Sequence, residues 1–168
     1  GGAAEPVRRG VDRSFSLEKK NQKELFREYP QGTYFVSLRR DNMTREETIR
    51  ALWRDVAAQD EAMGDHFTED AVILWPNTGE RFTVPEFVRA NREYPGQWEA
   101  QVERIDPEGG FSVARVWSPE GTAFRAVSFY RWRGGKICRL EEYWGDVGPA
   151  PDWRRALGLG RPIREEDV

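Results

Sequence analysis

At 168 residues the chain has one domain's worth of length and enough of it to bury a core. Seven tryptophans within a 12% aromatic content supply bulky core material. A charged fraction of 33% and a mean hydropathy of −0.78 exclude a membrane protein, and no apolar run approaches the roughly 18 residues of a spanning helix. The net charge of −3 gives nothing in favour of nucleic acid.

Charge is unevenly spread. Residues 1–42 hold nine Lys/Arg against six Asp/Glu, so the rest of the chain carries the acidity. A weakly basic arm on an acidic body is ordinary, and we expect neither a nucleic-acid nor a membrane partner from it. The start, Gly-Gly-Ala-Ala-Glu-Pro, lacks the apolar centre of a signal peptide. A single cysteine, Cys138, rules out an internal disulfide framework and fits a reducing cytoplasm.

In chain order, residues 1–42 read as an extension, native or vector-derived. Ser16–Tyr29 has the composition of a short helix, and Thr33–Leu38 that of a strand. Met43 is a plausible natural start. Thr44 then opens a strong helix to Asp60, with a Thr44/Glu47 capping box and Ile49, Leu52, Trp53, Val56 and Ala57 at helical spacing. Asp60–Phe67 is expected as a second short helix broken at Gly64, and Ala71–Trp75 as an apolar strand. Pro76–Glu80 makes a turn, and Val84–Asn91 a third helix with Pro85 in its first turn. Strands alone follow: Gln97–Ile105, Phe111–Ser118, Thr122–Arg133 and Lys136–Gly145, joined by Gly-rich turns. Helices first and an antiparallel meander after them predict an α+β domain over 43–155, with helices on one face of a bent sheet and 156–168 as a tail.

Three segments carry a resemblance: TREETIRALWRDVAAQD (Thr44–Asp60), HFTEDAVILWPNTGERF (His66–Phe82) and AVSFYRWRGGKICRLEEYWGD (Ala126–Asp146). With the trailing PAPDWR of Pro149–Arg154, the chain resembles the nuclear transport factor 2-like superfamily and, within it, the SnoaL-like proteins. The resemblance implies a cone-shaped, bent antiparallel sheet with helices on its concave face, enclosing one pocket. It specifies no activity, because that fold hosts isomerases, cyclases, hydratases, epoxide hydrolases and binding proteins. Ketosteroid isomerases of the superfamily place a carboxylate base where this chain has Trp75, a protonated Asp where it has Ser128, and a phenol near Leu52. Tryptophan cannot abstract a carbon-bound proton, so the resemblance argues against ketosteroid isomerisation. Of the Asp-Arg-Asp set of limonene-type epoxide hydrolases, only one Arg–acid pair can be matched.

Strand alternation in the register of the resemblance puts Cys138, Leu140, Glu142 and Trp144 on the inner face of the last strand. The strand before it turns in Phe124, Ala126, Ser128, Tyr130 and Trp132, and the one before that Phe111, Val113, Arg115 and Trp117. Glu142 and Arg115 are then the two charged groups on apolar faces. They are the candidate catalytic residues, with Glu142 as general acid/base; the alternatives are a structural ion pair between them or a bulge that turns Glu142 outward. Burial among tryptophans would raise the Glu142 pKa, and Arg115 would oppose the rise. Ser128 and Tyr130 are candidate oxyanion donors. Trp75, Trp144, Trp53 and Val113 complete the expected substrate-binding lining.

The lone His66 reads as a tolerated core or rim residue. With one His and one Cys no zinc set exists, and the carboxylates do not cluster for Mg²⁺. No phosphate loop or nucleophile elbow is present. The expectation is a cofactor-free lyase, isomerase or cyclase acting on a small, mostly apolar molecule with a carbonyl or enol. The alternative is a ligand-binding or protein-interaction module without turnover. The outer stripe Arg125/Val127/Phe129/Arg131 suits a homodimer interface.

Overall fold

The computed structural model describes residues 42–168, and the chain divides into two units, Gly1–Met43 and Thr44–Val168. The expected helix at Ser16–Tyr29 and strand at Thr33–Leu38 lie outside the described residues. Within the second unit, helix α1 spans Arg45–Ala57 and is started by the Thr44/Glu47 capping box read from the sequence. A 3₁₀ helix at Glu61–His66 runs through Gly64, where a side chain would crowd Val88 at 3.1 Å. Strand β1 is Phe67–Trp75, and a short β2, Glu80–Phe82, pairs back on it across the Pro76–Gly79 turn. Helix α2, Val84–Glu93, has its own capping box, Thr83 with Glu86, and Pro85 in its first turn.

The meander follows as β3 (Glu99–Ile105), β4 (Phe111–Trp117), β5 (Ala123–Arg133) and β6 (Lys136–Asp146), and a short α3 (Asp152–Ala156) comes after it. The six-stranded sheet has the order β2-β1-β6-β5-β4-β3. Every neighbouring pair is antiparallel except β1 and β6, which run parallel. The sheet is thus mixed, where a wholly antiparallel one was expected. The reason is topological: the helical segment carries the chain from β2 back to β3 at the far edge, and β6 arrives beside β1 in the same direction. Bulges interrupt the β3/β4, β5/β6 and β1/β6 ladders, and bulges bend a sheet.

The core lies between the helices and the sheet. Ile49, Leu52 and Trp53 of α1 and Phe87 of α2 pack with Ile73, Ala114, Ala126, Ile137 and Leu140 of the sheet, all buried. At the β3–β4 turn, Gly109 has φ +78°, and an added Cβ would lie 2.7 Å from Arg45 Cβ and 2.8 Å from Trp132 Nε1. Only glycine lets the Trp132 indole reach the Gly109 carbonyl at 2.7 Å while Arg45 lies over the Trp132 ring.

The pairing corrects the expected register of β4. Ser112 faces Ser128, Ala114 faces Ala126 and Val116 faces Phe124, so the inner set is Ser112, Ala114 and Val116. Phe111, Val113, Arg115 and Trp117 lie on the outer face, with Arg115 exposed opposite Arg125 and its guanidinium over Trp117. The physical cause is desolvation: turned inward, Arg115 would lose its hydration, a cost that a buried ion pair with Glu142 need not repay, whereas small side chains sit at no such cost beneath α1. Opposite Arg131 and Trp132 of β5, a bulge at Cys138 of β6 brings Ile137 inside rather than Cys138, and Leu140 and Glu142 keep their expected side.

Candidate functional site

Glu142 is 2% exposed on the inner face of β6. Alternation on β6 and the cross-strand pairing with Ser128 put it there, and β1, running parallel, brings Trp75 alongside. Trp75 Nε1 donates to Glu142 Oε1 at 3.1 Å, and Ser128 Oγ donates to Oε2 at 2.9 Å. No salt bridge reaches Glu142 among the described residues, and Arg115 stands on the opposite face of the sheet. Burial pushes its pKa up to about 7, with the Ser128 and Trp75 hydrogen bonds opposing the rise. The expected rise is present, and the expected opposition from Arg115 is not.

A second buried polar cluster adjoins it. The Tyr130 hydroxyl accepts from Trp53 Nε1 at 3.3 Å and shares a 2.7 Å hydrogen bond with Ser112 Oγ. Burial, and then the Glu142 charge, raise the Tyr130 pKa, so this phenol stays protonated; hydrogen bonds from Ser112, Trp53 and Ser128 work the other way. Ser112 was not singled out in the sequence. The signal that could have found it is its place directly opposite Ser128, two hydroxyls facing each other on neighbouring strands.

Beside these groups a cleft of about 490 Å³ opens between the C-terminal ends of α1 and α2 and the sheet. Its wall includes Val56, Trp75, Tyr94, Trp98, Val116, Phe124 and Trp144, and its rim Asn77, Asn91 and Asp146. Two of the residues read from the sequence, Trp75 and Trp144, are in the lining, with ring centroids 6.3 Å apart. Glu142, Ser128, Tyr130 and Trp53 stand behind that wall, and Val113 and Arg115 lie on the other face of the sheet. Gln59, at φ +55°, closes one end: its side chain donates to the Asn91 and Tyr94 carbonyls and so ties the end of α1 to the end of α2. A second, surface depression of about 590 Å³ lies by Gly64, Val84, Val88 and Arg92, away from the buried carboxyl.

His66 is buried, and its Nε2 lies 2.6 Å from Asp55 Oδ2, a link between the 3₁₀ helix and α1. No cluster of metal-ligating side chains occurs among the described residues, and no described helix is long and apolar enough to cross a membrane.

Comparison with known proteins places this geometry in a family. The family model for the SnoaL-like domain matches residues 46–140. A solved NTF2-like protein of unknown function from Burkholderia xenovorans LB400 is 28% identical, with a TM-score of 0.57, over 71% of this chain and 95% of that one. A solved putative ketosteroid isomerase from Kribbella flavida DSM 17836 is 27% identical, with a TM-score of 0.56, over 75% of this chain and 98% of that one. An NTF2-like protein from Cytophaga hutchinsonii ATCC 33406, at 15% identity, shares the fold at a TM-score of 0.52 over 70% and 97%. No curated protein matches the chain. The matched stretch holds nearly all of α1, the 3₁₀ helix, α2 and most of the sheet, and on that ground the chain belongs to the SnoaL-like domain family of the NTF2-like fold.

Proposed function

We propose that this domain binds a small, mostly apolar molecule in the aromatic cleft, with Glu142 as the group that handles a proton there. The observation that carries the reading is a cleft of about 490 Å³, walled by tryptophans, directly backed by a buried carboxyl held near pKa 7. A carboxyl poised at that value gives and takes a proton at neutral pH, as a general acid/base needs to. Trp75 is the connection: one edge lines the cleft, and its N–H holds the carboxyl. Ketosteroid isomerisation is not the reading, since Trp75 and Ser128 stand where that chemistry needs two carboxyl groups.

One observation favours a second reading, ligand binding without turnover. Glu142 is not itself among the lining side chains, so a bound molecule meets Trp75 and Trp144 first. A thermal-shift screen of small apolar compounds, with mass spectrometry of what co-purifies, tests the shared part of both readings. A true ligand at 100 times its dissociation constant should add about 2.7 kcal/mol of stability, and Trp144→Ala should abolish the shift. Shifts that persist in Trp144→Ala would place binding elsewhere. Among ligands found, Glu142→Gln that keeps affinity but loses conversion favours the acid/base role. No conversion by the unmodified protein favours binding alone.

For assembly we propose a homodimer through the outer sheet face. Phe111, Phe129 and Tyr143 are 41%, 48% and 41% exposed there, and Phe129 and Tyr143 meet edge to face at 6.3 Å. The flanking charges have both signs: Arg115, Arg125 and Arg131 beside Glu103 and Glu141. A two-fold pairing can set each sign against the other. Light scattering at tens of micromolar should give twice the 19.5 kDa chain mass, and Phe129→Asp should return it to one. A monomer mass for the unmodified protein would sink the proposal.

A further inference from the structure

The wall of the cleft is one continuous arc of aromatic rings. Tyr94 stacks on Trp98 at 5.1 Å, Trp98 meets Phe124 at 5.4 Å, Phe124 meets Trp144 at 4.8 Å, and Trp144 meets Trp75 at 6.3 Å. All five rings line the cleft. Aromatic faces carry negative quadrupole potential and attract cations. The lining holds one charged side chain, the exposed Asp146 carboxylate, and no Lys, Arg or His. Asp146 forms no salt bridge among the described residues.

Most side-chain donors of the same lining are committed within the protein; the Trp144 indole N–H and the Tyr94 hydroxyl are the exceptions. The Trp75 N–H is committed to Glu142, and that of Trp98 to the Pro95 carbonyl at 2.9 Å. Asn77 clasps the Trp144 backbone through both ends of its amide, and the Asn91 amide donates to the Phe87 carbonyl at 2.9 Å. The Gln59 amide donates to two carbonyls, and the Thr78 hydroxyl to the Trp75 carbonyl. A carboxylate or phosphate would enter against π faces and Asp146, with only the Trp144 N–H and the Tyr94 hydroxyl uncommitted to meet it. An organic cation needs no donor, and the aromatic faces and Asp146 favour its charge.

We propose that the cleft takes a small organic cation, an alkylammonium or arylalkylammonium, seated on the aromatic arc with its charge towards Asp146. This rests on the cleft being the ligand site and names the chemistry of what enters it. A matched pair of probes separates the two claims: choline, with a permanent trimethylammonium charge, and 3,3-dimethylbutan-1-ol, its neutral isostere of the same shape. Both are titrated into the full chain by tryptophan fluorescence. Choline should bind about tenfold more tightly than the isostere, since a desolvated cation–π contact is worth about one factor of ten. Asp146→Asn should weaken choline several-fold at low salt and leave the isostere unchanged, and Trp144→Ala should weaken both. If the isostere binds as well as choline, the cation assignment falls and the apolar-cleft reading stands. If neither probe is bound at millimolar concentration, both readings are overturned.

Discussion

Glu142→Gln is expected to leave the protein equally stable at pH 4.5 and more stable than the unmodified chain above pH 7, by about 3 kcal/mol. The folded state holds the Glu142 proton up to about pH 7, while in the unfolded chain the carboxyl ionises near its ordinary 4.5. The folded pKa is raised, so the stability linked to that proton is fully present below about pH 4.5. It is lost as pH rises through 7, where the folded protein has to bury the carboxylate. At 1.36 kcal/mol per pH unit, this window amounts to about 3 kcal/mol. Glutamine escapes it because it stays neutral. Its carbonyl can accept from the Trp75 N–H, and its amide can donate to Ser128 Oγ, which reverses its role. Asp70, Glu86 and Glu103 have lowered pKa values and pull the other way at acid pH, so the quantity to measure is the difference between the two proteins in urea melts. Parallel pH profiles would show that Glu142 is not a titrating group in this window.

Tyr130→Phe should cost about 2–4 kcal/mol of stability without opening any cavity. The hydroxyl is a hub: Trp53 donates to it, and Ser112 shares a hydrogen bond with it. Trp53 is 3% exposed and Ser112 fully buried, so neither can turn to solvent when the oxygen is removed. Each stranded buried polar group costs about 1–3 kcal/mol. Adding Ser112→Ala to Tyr130→Phe should recover part of the loss, because it removes one of the two stranded partners. Urea denaturation of the two single mutants and the double mutant measures this coupling. Strictly additive losses, or a single-mutant cost below about 0.5 kcal/mol, would show that the cluster is not a unit.

The parts of the molecule written in local chemistry were legible from the sequence. The Thr44/Glu47 cap and the spacing of Ile49, Leu52 and Trp53 define α1, and glycine-rich turns mark off the four strands of the meander. Alternation, taken in the register the resemblance implies, placed Ser128, Tyr130, Leu140 and Glu142 on the buried face. It failed on β4, because both of that strand's alternating sets are plausible as apolar faces. The expected register turned in Phe111, Val113, Arg115 and Trp117, whereas the buried set is Ser112, Ala114 and Val116. The stronger cue was Arg115, whose burial cost should have outweighed the apolar bulk of its neighbours.

What alternation cannot supply is depth along the inner face. Glu142 and Trp144 share a side of β6, yet Trp144 lines the cleft and Glu142 lies behind it, because parallel β1 inserts Trp75 between them. That arrangement depends on a pairing between strands more than sixty residues apart, which no local pattern encodes. The cleft wall is similar in kind: Tyr94 and Trp98 come from the loop after α2, and Gln59 ties that loop to α1. The Gln59 conformation, with positive φ in a non-glycine residue, is fixed by those carbonyls and not by its own preference.

The most direct measurement is a carboxyl-carbon NMR titration of the glutamates, with Glu142→Gln to assign the resonance, run with and without a cleft ligand. One glutamate should titrate near pH 7, be absent from Glu142→Gln, and shift its midpoint when the ligand binds beside Trp75. A Glu142 that titrates at the ordinary 4.5, or one whose midpoint ignores every ligand that occupies the cleft, would contradict the link between the buried carboxyl and the site.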